Sequence, residues 1–129
     1  MPAGIRVVVF GGRTFRDSEN LTLILDKLHA EYVFGLLIQG GARGADSLAK
    51  YWALRNNIPV AEFIANWNLQ GRAAGPIRNQ AMLDWGVPDL AIAFPGNKGT
   101  ADMTERVLNI RPRITLITVL PAERLNHAG

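Results

Sequence analysis

The stretch IRVVVFGGRTF, residues 5 to 15, constrains the fold more than any other part of the chain. Ile5 to Phe10 form a β-branched, apolar run, and such a run reads as a strand buried on both faces. Strands of that kind belong to parallel sheets covered by helices. The run breaks at Gly11-Gly12-Arg13-Thr14-Phe15. Asp17 or Ser18 can then N-cap a helix that carries Leu21, Ile24, Leu25 and Leu28 at helical spacing.

The alternation continues to the end of the chain. Gly35 is expected to close the first helix, and Leu36-Leu37-Ile38 reads as a short second strand. GGARGAD breaks it, with Asp46 read as the cap of a helix that runs to Arg55. Val60 to Ile64 reads as a third strand, followed by an irregular stretch, ANWNLQGRAAGP. A third helix starts near Pro76, a residue suited to a first turn, and ends near Gly86. Leu90 to Phe94 is the fourth strand, PGNKGT the turn after it, Thr100 to Leu108 the fourth helix and Ile114 to Leu120 the fifth strand. The tail PAERLNHAG is expected to fray or to pack as a short helix.

Strands alternating with helices predict βαβ units. The expected architecture is α/β: a Rossmann-like, doubly wound parallel sheet of about five strands in the order 3-2-1-4-5, with helices on both faces. At 129 residues a single domain, 1–129, accounts for the whole alternation. In such sheets ligands bind at the carboxyl ends of the strands, where the winding reverses. That point lies between the first and fourth strands, whose ends carry GGRTF and PGNKGT.

Composition narrows the chemistry. There is no cysteine, which excludes disulfides, thiolate catalysis and cysteine-based zinc sites. His29 and His127 have no second ligand at useful spacing, so neither a metal site nor a Ser-His-Asp triad is expected. No apolar stretch reaches the roughly 18 residues of a membrane helix. The N-terminus leads into a strand without a signal-peptide layout, so a cytoplasmic protein without membrane contact is expected. The net charge is +3, and eleven of the fourteen cations are arginine. The cations form no basic block, so nucleic acid is not the expected partner. Arginine suits phosphate recognition, and Arg13, Arg43 and Arg72 each adjoin a glycine.

Glycine-rich turns that lead from a strand into a helix can cradle phosphate, because the helix N-terminus offers unpaired N–H groups and a partial positive charge. This chain places several such turns on one edge. They are Gly11 to Thr14, Gly40 to Gly44, the segment from Gly71 to Asn79, and Pro95 to Thr100. The candidate ligand-binding residues are therefore Gly11, Gly12, Arg13 and Thr14; Gly40, Gly41, Arg43 and Gly44; Gly75 and Asn79; and Pro95, Gly96, Asn97, Lys98, Gly99 and Thr100. Trp67 could stack on a base. Phe15 and Met103 read as core or pocket wall. The GxGxxG fingerprint after the first strand and the Walker motif are both absent, so ATP hydrolysis is not expected.

The ordered set GGRTF, GGARGAD, W…GRAAGPIRN and FPGNKGTADM resembles the YspA-type family of the SLOG superfamily, over residues 5 to about 108. That superfamily is related to LOG phosphoribohydrolases, formerly called lysine decarboxylase-like, and to DprA/Smf proteins. It also holds sensor domains for ADP-ribose-derived signals. The resemblance implies a Rossmann-like fold and a phosphorylated, nucleotide-like ligand, and it supplies no reaction. No cofactor is required, although Mg2+ carried on ligand phosphates is compatible with it. Because related proteins dimerise, a homo-oligomer is expected.

LOG enzymes carry PGGxGT and, one residue later, a catalytic Glu. Here Asp102 holds that place, and Arg78 matches the arginine of their R-K-x-x-M segment. The resemblance thus implies Asp102 and Arg78 as catalytic residues if the protein is an N-glycosidic hydrolase of nucleoside monophosphates. Two departures, Asn97 for the second glycine and the shorter Asp102, favour binding over fast catalysis. A carboxylate misplaced by about 1 Å can slow a reaction by on the order of a hundredfold. The expected function is binding of a nucleotide or an ADP-ribose-like ligand, as a sensor. Phosphoribohydrolase activity is the alternative, and DprA-like single-strand DNA binding ranks third.

Overall fold

In the computed structural model, which describes residues 4–121, the strand β1 (Ile5–Phe10) occupies the centre of a five-stranded parallel sheet. It is followed by α1 (Ser18–Tyr32), β2 (Phe34–Gln39), α2 (Ala45–Arg55), β3 (Val60–Glu62) and a four-residue helix α3 (Trp67–Gln70). A 3₁₀ turn (Gly71–Ala73) leads into α4 (Ala74–Asp84), then β4 (Leu90–Ala93), α5 (Lys98–Leu108) and β5 (Thr115–Thr118). The strand order is β3-β2-β1-β4-β5, the doubly wound order expected from the alternation. Val8 pairs with Ile38 on one side and with Ala91 on the other.

The run VVVF explains the two layers. Successive side chains of a strand point to opposite faces. Val7 and Val9 join Leu21, Leu25, Leu37, Trp52 and Ile92 in one apolar cluster, on the side of α1 and α2. Val8 and Phe10 join Ile38, Met82, Ala91, Met103 and Val107 in the other, on the side of α4 and α5. Val7, Val8 and Val9 are fully buried, so a polar residue at any of these positions would be desolvated without a partner.

Three local outcomes differ from the sequence reading. The first helix does not end at Gly35. It ends at Val33, which adopts φ 55°, while the His29 ring accepts the Phe34 N–H at 2.9 Å. Gly35 lies inside β2. The stretch after β3 is not irregular throughout, because Asn66 caps the short α3 by accepting from the Leu69 N–H at 3.1 Å. The helix after β4 begins at Lys98 and not at Thr100, since Asn97 already serves as N-cap. The expectation for the tail concerns, beyond Pro121, positions outside the described residues.

The turns at the carboxyl edge are packed on one another. The Gly12 N–H donates to the Pro95 carbonyl at 2.9 Å, and the Gly12 carbonyl accepts from the N–H groups of Phe15 and Ala45, both at 3.2 Å. Gly44 adopts φ 79° and ψ −128°, and a Cβ there would overlap the Gly12 carbonyl oxygen. Left-handed strain and a backbone collision therefore act together. Gly44→Ala is expected to lose about 3 kcal/mol or more, read as a lower urea midpoint at unchanged slope.

Candidate functional site

A cavity of about 630 Å³ opens where β1 and β4 end, beneath the N-termini of α4 and α5. Sites for small organic molecules occupy about 300–1,000 Å³, so the volume suits one. Phe10, Met82 and Met103 contribute apolar wall, and four cations (Arg13, Arg72, Arg78 and Lys98) share the lining with two carboxylates, Asp46 and Asp102.

The helix ends around it are chemically distinctive. α1, whose start lies away from the cavity, has its N-terminus satisfied by the side chain of Asp17. By contrast α2, α4 and α5 have no side-chain cap among the described residues. For α2 the Ala45 N–H is taken by Gly12. For α5 the first turn, Lys98 to Thr100, borders the cavity, and the ladder starts only with the Ala101 N–H on the Asn97 carbonyl. An uncapped first turn leaves N–H groups and a partial positive charge for an external anion.

Arg78, on α4, is tied down through Nη1 to the Gly40 carbonyl and through Nε to Asn79 Oδ1 at 3.0 Å. Burial lowers its pKa; nearby Asp46 opposes that shift, and the like charge of Arg13 adds to it. Arg13 lies 5.3 Å above the Trp67 ring and forms no ion pair among the described residues. Trp67 packs its far edge over Gly75, where a Cβ would come within 3.2 Å of the indole.

The two acids differ. Asp102 Oδ2 accepts from Arg106 Nε at 2.8 Å and from Asn79 Nδ2 at 3.0 Å. The Arg106 bond, foremost, holds its pKa below the usual value, so it is an anion. Asp46 is buried, and desolvation lifts its pKa to about 6 against the opposing pull of Arg78. Asp46 does not cap its own helix. Its Oδ2 accepts from the Gly40 N–H at 3.1 Å and from the Ala42 N–H at 3.4 Å, so it organises the loop before α2.

Of the residues singled out in the sequence, Gly11, Gly12, Arg13, Thr14, Trp67, Gly75, Arg78, Asn79, Asn97, Lys98, Gly99, Thr100 and Asp102 line this cavity. Gly40, Gly41, Arg43 and Gly44 do not. Gly40 is sandwiched between Arg78 and Asp46, Gly41 packs on Glu62 and Ile64, and Gly44 abuts Gly12. Arg43 is exposed. This turn is scaffold beneath the site, with only Ala42 and Asp46 reaching the lining. Pro95 and Gly96 border a more open groove beside Phe15 and Arg16. Phe15 packs against Phe94, with centroids 5.3 Å apart and the rings tilted by 48°. The sequence reading passed over Arg72 as a site residue, although it adjoins Gly71, and Asp46, whose position inside GGARGAD was the only signal.

A sequence profile of the YspA, cpYpsA-related SLOG family matches residues 5–69. The chain is 34% identical over 96 residues to the Gene 61 protein of Mycobacterium phage D29, an alignment that spans 70% of this chain and 76% of that protein. Among solved structures it resembles DNA processing protein A (DprA) from Streptococcus pneumoniae, with a TM-score of 0.72 at 17% identity, over 95% of this chain and 52% of that one. The chain thus spans about half the length of that structure, and at this identity the likeness concerns the fold.

The raised pKa of Asp46 has a consequence for stability. The folded state keeps this proton up to about pH 6, whereas a free aspartate loses it around pH 3.8. Across that window the native form binds more protons than the unfolded chain, so the stability contributed by this carboxyl falls as pH rises. The interval corresponds to about 3 kcal/mol. Asp46→Asn, which keeps an acceptor for Gly40, is expected to gain stability relative to the parent as pH goes from 4 to 7. Urea titrations of both proteins at each pH check this.

Proposed function

Because the chain belongs to the YspA, cpYpsA-related SLOG family, we propose that it binds a nucleotide or a nucleotide-derived, ADP-ribose-like ligand in the cavity between β1 and β4. One observation carries the reading: the uncapped start of α5 converges on the same cavity as Arg13 and Arg78. Arg13 meets no carboxylate among the described residues within ion-pairing distance. Arginines close enough to repel each other are stabilised together by an anion between them. A phosphate there would accept from the Lys98–Thr100 amides and from the guanidiniums. The apolar wall of Phe10, Met82 and Met103 and the indole of Trp67 suit the uncharged remainder of such a ligand.

A second reading, hydrolysis of the N-glycosidic bond of a nucleoside 5′-monophosphate, is favoured by the link between Asp102 and Arg78 through Asn79. An anionic carboxylate in the cavity wall could stabilise an oxocarbenium-like sugar, as in glycosidases. The double hold of Arg106 on Asp102 neutralises much of that charge, which weighs toward binding without turnover.

Calorimetry with AMP and with ADP-ribose tests the first reading. Binding to the parent protein is expected, with an approximately tenfold loss in Arg13→Ala, the scale of one charge-assisted hydrogen bond. The melting temperature should stay unchanged, since Arg13 is exposed. Chromatography of AMP incubations is expected to show no free adenine. Adenine released by the parent and not by Asp102→Asn would establish the second reading instead.

A further inference from the structure

Asp46 has no role in the anion-binding reading, and a carboxylate in a cation-lined cavity works against anion binding. It is nevertheless 4% exposed and forms part of the cavity lining. Both backbone bonds it accepts fall on Oδ2. Oδ1 accepts none among the described residues, and no side-chain oxygen there is both sealed from solvent and unpartnered. Oδ1 therefore opens to the space that Asp46 lines. Arg78 is near enough to act on Asp46 electrostatically, yet no ion pair joins them. Its Nη1 and Nε are directed at Gly40 and Asn79.

Asp102 provides the contrast. Its Oδ2 is doubly bonded by Arg106 and Asn79, and its Oδ1 takes Arg106 Nη2 at 3.3 Å. Of these two carboxylates, only Asp46 has an oxygen without a donor among the described residues. An ionised carboxylate accepts hydrogen bonds and donates none, so the part of a ligand that meets Oδ1 must bring a donor. A fully ionised phosphate ester group has none to offer, and neither has sulfate.

We infer that Asp46 is a specificity-determining residue, whose free oxygen selects ligands that carry a hydroxyl or amino donor beside their phosphate. This rests on the nucleotide reading of the cavity and adds to it. A buried acceptor left without its donor is penalised strongly, and sites built around such a group reject analogues that lack the donor. In an adenosine phosphate the donor is a ribose hydroxyl or the adenine amino group. Both present the same chemistry to Asp46, and the analogues below tell them apart.

The experiment is calorimetry at pH 8, where Asp46 is ionised given its pKa of about 6. The probes are sulfate, a donor-free stand-in for the phosphate group, AMP, its 2′-deoxy and 3′-deoxy forms, and purine riboside 5′-monophosphate, which lacks the amino group. Asp46→Asn keeps an acceptor for Gly40 and turns a donor toward the cavity. It is expected to bind sulfate as well as the parent or better, because a negative charge is gone, while AMP weakens about tenfold. In the parent protein one of the three analogues should show the same loss, and in Asp46→Asn that analogue should bind as AMP does, as coupled partners require. Parallel changes for sulfate and AMP in the variant overturn the inference, as does equal binding of AMP and all three analogues by the parent. The parent series decides alone if the variant does not fold. Absence of heat from the parent with both sulfate and AMP overturns the nucleotide reading, and this inference with it.

Discussion

The Gly12 backbone is the joint on which the carboxyl edge of the sheet depends. Its N–H is bonded to Pro95 after β4, and its carbonyl takes the first amide of α2 as well as that of Phe15. One residue therefore ties the ends of β1 and β4 to the start of a helix that follows β2. A side chain at Gly11, Gly12, Gly44 or Gly96 would collide with one of these neighbours. The glycines here serve close approach of backbone to backbone before they serve any ligand. Once that packing is in place, the Gly12 amide is occupied, and the anion-seeking groups that remain are the first turn of α5 and the arginines.

Charge is then sorted by what each side chain already touches. Asp102 is held by Arg106 and Asn79, and Arg78 by Gly40 and Asn79. The buried Asn79 amide thus orients a cation with its oxygen and an anion with its nitrogen. Such a pair of roles cannot be exchanged without leaving one partner unsatisfied. Arg13 remains free of any carboxylate among the described residues and rests on Trp67. Asp46, buried on the other side of Gly40, keeps one oxygen open. The same carboxyl destabilises the fold at neutral pH by being desolvated, a pattern common where a group is retained for a site rather than for stability.

Much of the fold was legible because buried parallel strands are written as uninterrupted apolar runs. VVVF at β1 and LAIA at β4 could be read directly, and with the intervening helices they imply the strand order. Less legible were features decided by contacts distant in sequence. Gly35 looked like a helix stop, yet the helix is closed just before it by Val33 and the ring of His29. α3 is too short to show a period, so only Asn66 marks it. GGARGAD looked like a fourth phosphate turn, but Gly40, Gly41 and Gly44 are placed by Arg78, Glu62 and Gly12, residues distant in sequence.

The sequence by itself determined the doubly wound sheet, its strand order and the edge where a cavity would form. Periodicity and glycine punctuation act over a few residues, and the rules that join such units leave little choice. Only the tertiary structure decided which amides remain open, which arginines face the cavity without a carboxylate among the described residues and which of two aspartates is buried. Those properties depend on the distance between groups that the chain brings together from opposite ends of the sheet, and on how much water each retains there.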